Sequence, residues 1–170
     1  EMMDRVSKSI DIMREKGVLV VIVYSGGPAE ARKATGEFRP SRTHRADGVR
    51  RCLIEGTPGA EIDERIHIDR QRDILWHKHA PSAFFQNDLA ERLRAFGVEN
   101  VLVCGVKTNV CCRATVNDAF SHGFTTFAVS DMLATNTPEL NAFFIEDMAK
   151  YFATAVTSDE AFRLLEEGKL

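Results

Sequence analysis

The sequence has no long apolar run: its longest, Gly17 to Tyr24 (GVLVVIVY), falls well short of the roughly 20 residues a membrane helix needs. No charged-then-apolar leader opens it. It also has no excess of one charge, since 22 Lys plus Arg against 25 Asp plus Glu leave a net charge of −3, whereas nucleic-acid binders carry a basic surplus to displace phosphate counterions. The four cysteines, Cys52, Cys104, Cys111 and Cys112, show neither the CxxC pairs of a zinc site nor the spacing of a disulfide framework. Adjacent Cys111 and Cys112 cannot bridge each other without strain. No Gly-rich phosphate loop follows a strand, because Gly26-Gly27-Pro28 is too short for one. These absences exclude a membrane-spanning helix, a dedicated nucleic-acid binder, a zinc module, a disulfide miniprotein and a nucleotide-binding flavodoxin-like domain. The expectation is a soluble chain in a reducing, cytoplasmic setting. What is present, 170 residues with 44% hydrophobic and 28% charged side chains, suits a single domain over residues 1–170.

Helical and strand signals alternate along the chain. Met2, Met3, Val6, Ile10 and Met13 recur near helical spacing before Gly17, a residue suited to the position just past a helix end. Val18 to Tyr24 is β-branched and apolar, as a strand covered on both faces should be. From Ser25 to about Gly48 no period survives, and Arg39, Arg42 and Arg45 stand in a basic stretch that reads either as a binding loop or as a solvated one. A strand is expected at Asp73 to His77, a helix from Leu89 to Gly97, a strand at Asn100 to Cys104 and a helix from Cys111 to His122. A strand at Phe124 to Val129, a helix at Pro138 to Tyr151, a strand at Ala153 to Val156 and a helix from Ser158, read as its cap, complete the series. This alternation predicts an α/β fold of three layers, doubly wound, with a mainly parallel sheet and helices on both faces. Ligands of such sheets bind at the carboxyl ends of the strands. The loops that matter are then Ser25 onward, His77 to Ser82, Gly105 to Cys111 and Ser130 to Thr137.

Chemistry concentrates in Val101 to His122, where a buried strand ends at Gly105 and a helix begins near Cys111. A thiol at a helix start faces unpaired N–H groups that favour a thiolate and can receive an oxyanion. Cys111 is thus a candidate nucleophile, though a buried cysteine also packs as a small hydrophobe. Lys78, flanked by His77 and His79, ends another strand, where it could hold negative charge or simply be a solvated lysine.

Together these segments resemble the isochorismatase-like cysteine hydrolases, a family that includes nicotinamidases, N-carbamoylsarcosine amidases, maleamate amidases and ureidoacrylate amidohydrolases. The match is Lys78 followed by Ser82-Ala83-Phe84, then Gly105-Val106-x-Thr108-Asn109-x-Cys111-x-x-x-Thr115-x-x-Asp118-Ala119, with secondary matches at Glu55 to Glu61 and Ser130-Asp131. The resemblance implies Cys111 as nucleophile and Lys78 as the cation of an Asp-Lys-Cys triad. It also implies a non-proline cis peptide between Val106 and Lys107, and an oxyanion hole made by the N–H groups of Lys107 and Cys111, with Thr108 and Asn109 bracing the loop. The family's aspartate ends a strand that precedes the opening helix. The given sequence opens on that helix, and Asp4 and Asp11 lie on it at the wrong place. The expectation is therefore an N-terminal strand, with its aspartate, outside the sequence given.

Tyr24 to Pro28 lacks the histidines of metal-binding nicotinamidases, so neither a metal nor any other cofactor is expected. Cys111 favours the amidase branch over vinyl-ether-cleaving isochorismatases. Lys107 and Asn141 depart from the usual residues, while Cys112, one step along the helix, should be core. The expected reaction is hydrolysis of a small amide, ureido or carbamoyl compound through a thioester. Trp76, Phe84, Phe85 and Asn109 would line the pocket, and Arg39, Arg42, Arg45 and Lys107 could hold a substrate carboxylate. The alternatives are a non-catalytic family member serving as a binding or assembly module, or an isochorismatase-type ether hydrolase. The expected partner is a small molecule, with no nucleic acid or membrane, and relatives suggest a homodimer or homotetramer.

Overall fold

A computed structural model describes residues 2–26, 56–78 and 80–170 of the chain. The Arg39, Arg42 and Arg45 stretch, Cys52, Glu55 and His79 lie outside the described residues. Helix α1 (Met2–Glu15) leads into strand β1 (Val21–Ser25), and β2 (Ile74–Lys78) runs parallel beside it, with Ser25 opposite Lys78. Then come α2 (Leu89–Ala95), β3 (Asn100–Val106), a five-residue π-type turn (Thr108–Cys112) and α3 (Arg113–Ser121). The remaining elements are β4 (Thr125–Ala134), α4 (Pro138–Tyr151), β5 (Thr154–Val156) and α5 (Ser158–Glu166). Strands β3, β4 and β5 form a second parallel sheet in that order. Among the described residues no strand pairs with the free edge of β1 or of β3.

Alternation along β4 builds the layers. Phe127 and Val129 point to one face, where Val6 and Met13 of α1 and Ala161 of α5 cover them. Ala128 points to the other, under Val116 of α3 and Met148 of α4. A third cluster of Phe84, Leu89, Leu93, Ala119 and Phe124 joins α2 to α3, and Val21 of β1 and Val101 of β3 pack against it, so both sheets share this core. The arrangement is the expected α/β fold with helices on both faces.

Three expectations are corrected. The fourth strand does not end at Val129 but runs on to Ala134, so Ser130 and Asp131 lie within it. Its register shifts there: Val103 stands beside Ala128 but Gly105 beside Leu133, so β4 bulges and re-aims its end toward the Cys111 turn. Asp131 has a local task, accepting from the N–H (2.8 Å) and hydroxyl (2.7 Å) of Ser158 at the start of α5. The cap of that helix is Thr157 rather than Ser158, in a capping box with Glu160. The third difference is that α-helical geometry begins at Arg113, with Cys111 inside the wider turn before it.

The end of α1 is fixed electrostatically. The Arg14 guanidinium grips Asp73 with two bonds, at 2.9 and 2.5 Å, and donates also to Asp11 and to the His67 carbonyl. The side chains of Arg14 and Asp73 are 7% and 0% exposed, and the Asp73 hydrogen bond raises the Arg14 pKa despite burial. Because Asp73 immediately precedes β2, this pair sets the strand that carries Lys78. Removing one member of a buried pair strands the other, so Asp73→Ala should cost about 3–5 kcal/mol in urea unfolding. Asp88→Ala, which breaks an exposed pair with Arg92, should cost less than about 1 kcal/mol.

Candidate active site

Lys78 and Cys111 come from different sheets and meet at their carboxyl ends. Parallel pairing with β1 delivers Lys78 at the last position of β2, and Nζ donates to Cys111 Sγ at 3.3 Å and to the Ala80 carbonyl at 3.0 Å. An ammonium at that distance stabilises negative charge on sulfur. His77, one residue earlier on the strand, turns to the opposite side. Its Nε2 lies 2.7 Å from the Gly26 carbonyl and its ring lies against Tyr24, tilted by 36° with the centroids 5.1 Å apart.

The turn that carries Cys111 is held from all sides. The Val106–Lys107 peptide is cis. The Lys107 carbonyl accepts from the N–H groups of Val110 (3.1 Å) and Cys112 (3.2 Å), closing the turn over one residue more than an α-turn holds. Thr108, fully buried, donates to Asn141 Oδ1 at 2.5 Å, and Asn141 Nδ2 donates to the Leu133 carbonyl. Thr135 donates to Asn109 Oδ1 at 2.5 Å, and Lys107 Nζ to Asn136 Oδ1 at 2.6 Å. The end of β4, its following loop and the first turns of α4 therefore clamp this turn through three side-chain bonds. Asn141, one of the departures noted in the sequence, supplies the one at buried Thr108. Nothing local in the sequence announces this pairing, which joins residues 33 apart.

Cys112 faces inward. It is 5% exposed and packs with Val116 and Met148. Burial, with smaller contributions from neighbouring Cys104 and Cys111, pushes its thiol up to about 12.

The expected pocket residues divide. Phe84 is 5% exposed and belongs to the core, against Phe124 and His122, so it supports the site from beneath instead of walling it. Trp76 donates to the Ala83 carbonyl at 3.0 Å under the Arg92 guanidinium, which fixes the segment after β2. Phe85 is exposed. Asn109 braces the turn through Thr135. Asp4 and Asp11 pair with Arg65 and Arg14, on α1 and away from the thiol. Among the described residues no carboxylate contacts Lys78 or Cys111.

Alkylation should read this asymmetry directly. Because Cys112 is 5% exposed and burial pushes its thiol up, iodoacetamide at pH 8 should modify Cys111 in the native protein and leave Cys112 unmodified, as peptide mass mapping would show. Lys78→Met should slow the Cys111 reaction about tenfold.

The isochorismatase domain family matches residues 1–160. Nicotinamidase 3 of Arabidopsis thaliana is 36% identical over 114 residues, covering 66% of this chain and 58% of that protein. A second A. thaliana protein, described as a probable inactive nicotinamidase, is 31% identical over 144 residues, covering 84% of this chain and 72% of its own. The crystal structure of a cysteine hydrolase from Pseudomonas syringae superimposes with a TM-score of 0.84 at 23% identity, over 98% of this chain and 81% of that one. The chain thus spans just over half the length of the first of these relatives. With the family match running over nearly the whole sequence and the same fold in a solved relative, the chain belongs to the isochorismatase family.

Proposed function

We propose that this protein is a cysteine amidohydrolase that cleaves the C–N bond of a small amide, ureido or carbamoyl compound. The observation that carries this reading is the 3.3 Å contact between Lys78 Nζ and Cys111 Sγ at the carboxyl edge of two parallel sheets, where α/β proteins bind their ligands. The similarity to a nicotinamidase supports an amide as the reacting group.

The proposed reaction uses these groups together with a base from outside the described residues. A base takes the Cys111 thiol proton; in the resemblance this base is an aspartate, which is not among the described residues. The thiolate, held beside the Lys78 ammonium, forms a bond to the amide carbonyl carbon, and the carbonyl electron pair moves onto oxygen. The backbone N–H groups of Lys107 and Cys111, at the start and in the body of the wide turn, receive that oxyanion. Collapse breaks the C–N bond, the nitrogen leaves as ammonia or an amine after taking the proton, and a thioester remains. Water then adds to the thioester and releases the acid, restoring the thiol. The bonds from Asn141, Thr135 and Asn136 supply rigidity, since an oxyanion hole works only if its donors are already aimed.

Activity is tested by ammonia release across small amides and ureido acids. Cys111→Ala should abolish turnover, and Lys78→Met should lower kcat by about 10²–10⁴. Full activity in Cys111→Ala would exclude the mechanism. The second reading, a non-catalytic family member, is favoured by the similarity to a protein described as a probable inactive nicotinamidase. It predicts no ammonia from any member of the panel with the full-length chain.

A further inference from the structure

We infer that Thr115 is a positioning residue for the site: by holding the Ala83 N–H, its hydroxyl oxygen keeps the Lys78 ammonium against the Cys111 sulfur. Thr115 belongs to the motif that carries Cys111, yet no step of the proposed reaction uses it. The inference rests on the Lys78–Cys111 pair of that reading and adds a residue that acts through the pair. Residues four apart on a helical path lie on one side, so Thr115, one turn along α3, faces as Cys111 does, toward the segment that follows β2. Two successive links then reach that segment, Lys78 Nζ to Cys111 Sγ at 3.3 Å and the Ala83 N–H to Thr115 Oγ1 at 3.1 Å.

The backbone connects these links. Lys78 Nζ also donates to the Ala80 carbonyl at 3.0 Å, so the ammonium moves with the stretch from Ala80 to Ala83. That stretch is fastened at Ala83, which is 1% exposed. The Ala83 carbonyl accepts from Trp76 Nε1 at 3.0 Å and from Asn87 Nδ2 at 2.8 Å. Both donors belong to the same strand-and-loop segment, so their bonds shape the loop but leave its distance from α3 open. The Thr115 bond is the one of the three that reaches α3, and it sets where the ammonium lies relative to the sulfur. The cluster of Phe84, Leu89 and Ala119 holds the same layers together, but apolar packing is non-directional and fixes a position less sharply than a hydrogen bond does. Without the acceptor, the buried Ala83 N–H loses its partner, and the loop must shift to find another.

The rate at which iodoacetamide modifies Cys111 in the full chain at pH 8, followed by peptide mass mapping, tests this without any turnover. Ammonia release reads the amidase reaction separately, so a protein that releases none still decides the role of Thr115. Thr115→Val and Thr115→Ala remove the acceptor with and without keeping the side-chain volume, and each should slow the Cys111 reaction about fivefold. Thr115→Ser keeps the hydroxyl and should stay within about twofold of the parent. In a Lys78→Met background, Thr115→Val should change the rate by less than about twofold, because a residue that acts through Lys78 has nothing left to act on. Cys112 should stay unmodified throughout, since a general loosening of α3 would expose it. Unchanged rates in both acceptor-free variants, modification of Cys112 in both, or a Thr115→Ser protein as slow as Thr115→Val would each overturn the proposal. So would a full fivefold effect of Thr115→Val in the Lys78→Met background, or a parent rate indifferent to Lys78→Met.

Discussion

The proposed chemistry depends on keeping one nitrogen and one sulfur 3.3 Å apart although one ends a strand of the first sheet and the other follows a strand of the second. Strand pairing cannot do this across the two sheets, because β1 and β2 pair only with each other among the described residues. The work falls to the packing between the sheets. The cluster of Phe84, Leu89, Leu93, Ala119 and Phe124, against which Val21 and Val101 both pack, holds the strands in place. The Ala83 N–H donates to Thr115 Oγ1 at 3.1 Å and pins the segment after Lys78 directly onto the helix after Cys111. Phe84 and Trp76 are then as necessary as wall residues would be, since a shift of about an ångström between reacting groups is enough to cost orders of magnitude in rate.

The sulfur side is over-determined by polar bonds. Three side chains, Thr135 and Asn136 from the loop after β4 and Asn141 from α4, reach the turn or the residue just before it, each through a different residue. One of these bonds is made by fully buried Thr108, whose hydroxyl would bear the desolvation cost if its partner were lost. The bulge in β4 aims these partners: without its extra residues, the strand would end before reaching Leu133 and Ala134, and Thr135 would start elsewhere.

Much of the fold could be read from local signals. The β-branched run before Tyr24, the proline that opens α4 and the glycines closing α1, α2 and α3 act over a few residues; α4 stands where expected, and the first strand, Val21–Ser25, starts three residues later than the run itself. Lys78 and Cys111 could be found because each lies at a strand end with a recognisable neighbourhood. What sequence reading misses is long-range. A bulge that extends β4 past Val129 is a property of two strands together, and the assignment of Phe84 to core or to pocket depends on where α3 lies. The Thr108–Asn141 bond is equally invisible along the chain. Asn141 looked like a departure from the family, yet its amide serves both the turn and the strand end.

The wide turn at Thr108–Cys112 also decides which of two neighbouring sulfurs meets Lys78. Successive residues on a helical path point about 100° apart, and the bond from Cys112 N–H to the Lys107 carbonyl sends Cys112 to the core and Cys111 to the strand ends. Two adjacent thiols therefore stand in opposite surroundings, one sealed among apolar side chains and one beside an ammonium.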